Sequence, residues 1–327
     1  MHYSWLLAHI CQCEGIKVLW VGHSEATHYR KENKLPDKND LADALALAAY
    51  AHTHWDKSEF FLTFEPGAIA QIRSLYLQLK SLTRVQSPVI NRVRQQLAQE
   101  FPEAALKESN PGPDGLSPLW AWLARWERKT KRHSFYYDSL YSKSIAPAYG
   151  IEISPFTRKY AEFLCHIHSW EREIINELGK LLSMPQFKPY KKVFDELGIG
   201  VRPRALLLTH IYPMSKFESL GSFKKRLGMA GDESSSGDHK SWNTKGGSKM
   251  CRTELYLWIL VAIAPKKNRP TGEIGEKLSA FYDSRQEKFK KNEQGGSNFG
   301  KLIISQTAAY GCKLLFKELK KALKLKE

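Results

Sequence analysis

Asp40 and Asp43 stand three residues apart at the head of an Ala-rich segment that runs to His52. On a helix this spacing puts both carboxylates on one face, within reach of one divalent ion. Phosphoryl-transfer sites use carboxylates in this way, holding two metal ions over the attacking and leaving oxygens. The same spacing also imitates a capping box, and two carboxylates alone do not complete a two-metal site. The second chemistry-bearing residue is Ser236, which precedes Gly237 in a Gly/Ser/Lys-rich loop running from Ser234 to Ser248. A serine in such a loop is a nucleophile if a base takes its proton or a metal polarises the phosphate. Ser234 and Ser235 are nearly indistinguishable from it by position, and Ser/Gly loops are common linkers. His210 and His239 lie nearby without an assigned role.

The balance of charge says what these groups would act on. Fifty Lys and Arg against 34 Asp and Glu give a net charge of +16 in 327 residues. A domain this basic faces a polyanion, nucleic acid before an anionic membrane surface. Five cysteines (Cys11, Cys13, Cys165, Cys251 and Cys312) form no CxxC pair. Their odd, scattered spacing argues against a disulfide framework and for a reducing interior. The apolar stretch Trp5 to Ile10 is too short for a secretory signal, and no stretch is long enough for a membrane span.

The elements that must position these residues start with a helix over 3–13 and a short β-branched run, Ile16 to Val21, between Gly15 and Gly22. That run predicts a buried strand. A polar, basic loop from His28 to Asp37, the helix from Asp40 to His52 and a second apolar run, Phe60 to Phe64, follow. A strand buried on both faces needs ladder partners, and none is legible downstream. From Ala68 to Gln99, Ile72, Leu75, Leu79, Leu82, Gln86, Val89, Val93 and Gln96 mark a coiled-coil seam, with Arg73, Lys80 and Arg84 as a basic stripe. Pro88 predicts a kink or a split, and Phe101-Pro102 the end. A turn-rich linker over 108–118 leads to Trp120, Trp122 and Trp126 among Arg125, Arg128, Lys129, Lys131 and Arg132. This pattern suits either base stacking or ordinary core. Helices follow over about 156–182. Gly198-Ile199-Gly200 before Arg204 has the look of a helix-hairpin-helix turn, whose amides can meet a phosphate. Lys245, Lys249 and Arg252 lead into an apolar helix from Leu255 to Ala264, and the last helix, 299–324, is lysine-rich at its end.

Taken together these motifs resemble the insertion-sequence-110 (Piv-like) family of transposases over nearly the whole chain. The family's Lys-x-Asp-x-x-Asp-Ala pattern stands here as Lys38-Asn39-Asp40-Leu41-Ala42-Asp43-Ala44. Its carboxyl-terminal pattern reads Gly198-Ile199-Gly200, Phe217 or Phe223, Leu227-Gly228-Met229, Ser236-Gly237 and Lys245-Gly246-Gly247-Ser248-Lys249-Met250-Cys251-Arg252. Ser248 and Cys251 replace the usual Asn and Leu. The resemblance implies a mixed α/β, mostly helical chain. Residues 1–66 would be part of an RNase-H-like DEDD domain, 67–107 a coiled-coil arm, 108–190 a helical middle region and 191–327 a mainly α serine domain. It makes Ser236 the nucleophile and Asp40 and Asp43 ligands of Mg²⁺. Lys38, Arg73, Lys80, Arg84, Gly198, Gly200, Arg204, Lys245, Lys249 and Arg252 become nucleic-acid contacts. DNA, a guide RNA and further copies of the chain are the implied partners, without a membrane, in a prokaryotic cytoplasm at the nucleoid. The family's first Asp and its Glu match no position here and fall upstream of Met1, so impaired catalysis is expected of the chain as written. A non-catalytic nucleic-acid-binding protein and a plain metal nuclease are the other two readings.

Overall fold

The computed structural model describes residues 2–35, 39–57, 60–61, 67–112, 115–126, 131–230, 232–236, 239–243, 247–291 and 299–325; at 2–5, 24, 131–133, 232–236, 239–243, 291 and 299 it describes the backbone alone. The chain divides into two compact units, Met1–Pro66 and Gly67–Glu327.

In the first unit α1 (His2–Cys13), α2 (His23–Glu32) and α3 (Asp40–Thr53) are joined by short links. Tyr50 of α3 meets Tyr29 of α2 edge to face at 5.3 Å, and Ala42 and Ala46 are buried beside it. Two expectations are corrected here. Residues 16–21 form no strand; an isolated bridge at Trp20 is all they contribute. A strand is stable only where neighbours take its N–H and C=O groups, and the unit's described residues offer helices instead. His28 to Glu32 is not a loop but the end of α2, held by the contacts of Tyr29 and Arg30 with α3. The run Phe60 to Phe64 lies largely outside the described residues.

The second unit is built on two long helices, α4 (Ala68–Glu100) and α9 (Pro155–Leu182), which pack along each other. Between them in sequence come α5 (Pro102–Ala105), α6 (Pro118–Leu123), α7 (Lys131–Tyr141) and α8 (Ile145–Ala148). After them come α10 (Lys188–Glu196), α11 (Val201–Ile211), α12 (Leu220–Arg226), a hairpin of β1 (Asp232–Ser236) and β2 (His239–Asn243), α13 (Lys249–Trp258), α14 (Glu273–Lys291) and α15 (Phe299–Ala322). A π-helical turn, Ile259–Ile263, extends α13. The fold is therefore helical, with one two-stranded hairpin as its only sheet among the described residues. This overturns the mixed α/β, partly RNase-H-like class.

The heptad seam explains α4. Ile69, Ile72, Leu75, Tyr76 and Leu79 enter one core with α10, α11 and α13–α15, while Val93 and Leu97 enter a second with Phe101 and α6. Packing at both ends carries the helix through Pro88 without a split, although proline removes one rung of the ladder. Where the two cores meet, the seam turns polar. Gln86 Nε2 donates to His168 Nε2 at 2.5 Å, and Glu171 accepts from Thr83 and pairs with Arg202 at 3.2 Å. Burial holds His168 below the usual imidazole range, so the ring is neutral and can accept that bond.

The far ends of the two helices are tied through Glu100. Its carboxylate accepts from the Ser154 hydroxyl at 2.6 Å and the Ser154 N–H at 3.2 Å, while Ser154 caps α9 by accepting from Thr157. Removing the acceptor of buried hydrogen bonds leaves their donors unsatisfied, at a cost of roughly 1–3 kcal/mol. Glu100→Ala is thus expected to lower the unfolding free energy measured by urea titration by that much; a change under about 0.5 kcal/mol would show the tie to be idle.

Candidate nucleic-acid interface

The serine segment is a hairpin on a closed root. Ser219 caps α12, its hydroxyl accepting from Ser222 N at 3.2 Å, and the helix ends in Lys224, Lys225 and Arg226. The chain then reverses at Gly228, φ +71°, where Gly228 and Met229 N–H groups donate back to Lys225 and Lys224 carbonyls. β1 and β2 run antiparallel in a register that sets Ser236 opposite His239. The returning chain passes Gly247, φ +72°, and Ser248, whose hydroxyl accepts from Cys251 N at 3.2 Å and caps α13. Ser248 N–H donates to the Arg226 carbonyl at 3.3 Å, which ties the two ends of the segment together.

Both glycines are required at this crossing. A β-carbon on Gly228 would stand 2.7 Å from the Ser248 carbonyl oxygen. One on Gly247 would run into the Lys225 carbonyl and stand 2.6 Å from Gly228 N. Both positions also hold the left-handed conformation that glycine alone adopts freely. The expectation of a plain loop is corrected to this hairpin, but the side chains of 231–246, Ser236 and Lys245 included, lie outside the described residues.

Cations gather around the root. Arg226 and Lys249 are exposed at its two sides, and Arg73 of α4 is exposed on a helix that packs against α11. Arg226 and Arg73 both act on His210 of α11, whose pKa is pushed down to about 4 by burial first and then by these two charges. The Leu206 carbonyl can only accept, so His210 Nδ1 carries the proton at 3.0 Å from it and Nε2 keeps its lone pair. The same two arginines act on Cys251, but burial dominates and pushes that thiol up to about 11; at Cys312 it reaches about 12. Neither is a nucleophile at neutral pH.

His210 gives the unit a pH dependence. Unfolded, the ring takes its proton near pH 6.5; folded, only near pH 4. Its contribution is complete above pH 6.5 and falls away as the pH drops from there toward 4. For a ring with some solvent access the loss from pH 7 to 5 should be on the order of 1–2 kcal/mol, read from urea midpoints. His210→Gln should flatten the profile over that interval; an equally steep fall would assign it elsewhere.

The other predicted residues are spread more widely. Lys80 and Arg84 are exposed on α4, and Arg252 is half-buried on α13. Gly198, φ +63°, and Gly200 form the turn between α10 and α11, but the 198 and 199 amides donate to Asp195 and Phe194 carbonyls. Arg204 pairs with Asp195 at 2.5 Å and donates to the Ile199 carbonyl, so it is not a free cation. Trp120 and Trp122 are core, with Trp122 Nε1 donating to Asp138 at 2.8 Å. Lys38 lies outside the described residues.

Asp40 and Asp43 fall in the first turn of α3, whose cap is Asn39 rather than either acid. Asp40 is exposed, and Asp43 pairs with Arg30 at 2.5 Å, a guanidinium where a ligand would meet its ion. Among the described residues no group of three or more His, Cys, Asp or Glu side chains is placed to hold a metal ion. The two carboxylates present do not fit a two-metal centre.

Sequence reasoning missed Arg226, named His210 without giving it a role, and missed that the Leu227-Gly228 and Gly246-Gly247 motifs are two sides of one crossing. The basic run ending α12 was the available signal. Among the described residues no helix is long and apolar enough to cross a membrane. No family model matches the chain, and none of the curated proteins matches it.

Proposed function

We propose that the chain is a DNA transposase or site-specific recombinase in which Ser236 attacks a backbone phosphodiester. The observation that carries the reading is the hairpin itself: Ser236 ends β1 on a segment rooted between Arg226 and Lys249 in a strongly basic chain. In the step, a bond forms between the serine oxygen and phosphorus as the bond from phosphorus to one strand's oxygen breaks. The serine proton leaves to solvent and the released strand departs as a hydroxyl end. The phosphoserine ester conserves the bond energy, so a second hydroxyl end can reverse the attack and reseal the DNA. The motif resemblance supports Ser236 over Ser234 and Ser235, and on the same ground a guide RNA and further copies of the chain are its partners. Trapping of a covalent protein–DNA adduct that is lost in Ser236→Ala tests this reading.

A second reading, nucleic-acid binding without chemistry, is favoured by the engagement of Asp43 with Arg30. It predicts salt-sensitive binding and no adduct in any variant.

A further inference from the structure

We propose that a cavity between α9, α10 and α11 binds a small aromatic carboxylate, one ring carrying one acid group. This goes beyond the handling of DNA and does not depend on it.

The cavity measures about 230 Å³. Its floor is apolar: Leu182 of α9, Phe187 from the turn before α10, Phe194 of α10 and Leu208 of α11. A dry cavity of ~150 Å³ lined by such side chains takes benzene, and drug-sized ligands need roughly 300 Å³ or more. The volume here therefore suits a single ring with one substituent. The walls are fixed before any ligand arrives. Tyr190, which lines one side, accepts the Met214 N–H at 2.8 Å through its hydroxyl, and Phe187 packs edge to face on Tyr212 at 5.3 Å. Aromatic walls favour a ring, whose edge and face they meet in offset geometry.

Gly179 marks the cavity as kept open rather than left over. It stands inside α9 one turn before Ser183 and lines the cavity, and nothing lies within 4 Å of where its β-carbon would be. Glycine weakens a helix interior relative to alanine. A side chain there would fill the space without a clash, so the glycine preserves a volume that close packing alone would close.

The mouth is cationic. Lys191 of α10 lines the cavity too; its ammonium donates to the Ser183 hydroxyl at 3.3 Å and pairs with no carboxylate among the described residues. Between Glu177 and Asp195 the chain carries Lys180, Lys188, Lys191 and Lys192 and no acid. The other cation of the lining, Arg204, is taken by Asp195 at 2.5 Å and by the Ile199 carbonyl. What remains is a point charge with protons to spare, which suits a monoanionic carboxylate better than the fork-matched oxygens of a phosphate.

The test is titration of the full chain with benzoate, benzyl alcohol, hexanoate and thymidine monophosphate, followed by ligand-observed NMR. Benzoate should bind the parent with a dissociation constant on the order of 1 mM or below. Gly179→Leu, which fills the space, and Lys191→Gln should each weaken that binding about tenfold. Lys192→Gln, exposed on α10 and outside the lining, should leave it unchanged. Benzyl alcohol should bind more weakly and ignore Lys191→Gln. Gly179→Leu should melt no lower than the parent; if it does, Gly179→Ala takes its place, with benzoate about threefold weaker. No saturable binding of benzoate up to about 10 mM, or equal binding by the glycine variant that folds, would overturn the site. Tighter binding of hexanoate or thymidine monophosphate than of benzoate would overturn the ligand class.

Discussion

Gly247→Ala is expected to cost the second unit roughly 3–5 kcal/mol and to lower its melting temperature by about 10 °C. The left-handed backbone at φ +72° accounts for about 1–2 kcal/mol of this. The rest comes from backbone meeting backbone. The new β-carbon would strike the Lys225 carbonyl and the Gly228 amide, and neither can swing aside as a side chain would. Relief requires opening the Ser248-to-Arg226 bond that closes the root, so the hairpin should become protease-sensitive before the unit melts. Gly179→Ala makes the opposite control. Gly179 lies inside α9 with nothing within 4 Å of its β-position, and alanine there should stabilise by about 0.5–1 kcal/mol. Thermal melts and limited proteolysis of the two variants check both signs.

What was legible from the residues divides along the range of the forces involved. The helices α4, α9 and α15 were readable because their apolar spacing repeats over many turns. Ile72, Leu75, Leu79 and Val93 are buried where the seam placed them. Phe101 ends α4 as expected, its N–H closing on the Leu97 carbonyl. The run Ile16 to Val21 misled because a strand is a property of its neighbours, and a few β-branched residues do not say whether neighbours exist. α2 was unreadable for the converse reason. Its residues show no apolar period, and contacts from Tyr29 and Arg30 to α3 hold it. At the site, Asp40 and Asp43 were found by spacing, but the capping role of Asn39 and the pairing with Arg30 needed three dimensions. That Arg73 and Arg226 both act on His210 needed them still more, since the two stand 153 positions apart (226 less 73).

Placing Ser236 in the chemistry makes the largest functional prediction. If its oxygen forms the bond to phosphorus, Ser236→Ala should abolish the covalent step, a loss of about 10⁴-fold or more, because the attacking atom itself is removed. DNA binding should survive, since it depends on the cations around the root. Ser234→Ala and Ser235→Ala precede it in the same strand, and they should keep the activity unless the hairpin register itself is disturbed.

The most direct measurement is denaturing electrophoresis of the chain after incubation with end-labelled DNA, comparing the parent with the three serine variants. A slow-forming, protease-sensitive DNA adduct is expected in the parent, Ser234→Ala and Ser235→Ala, with none in Ser236→Ala. An adduct that persists in Ser236→Ala, or DNA binding with no adduct in any of them, would contradict the account.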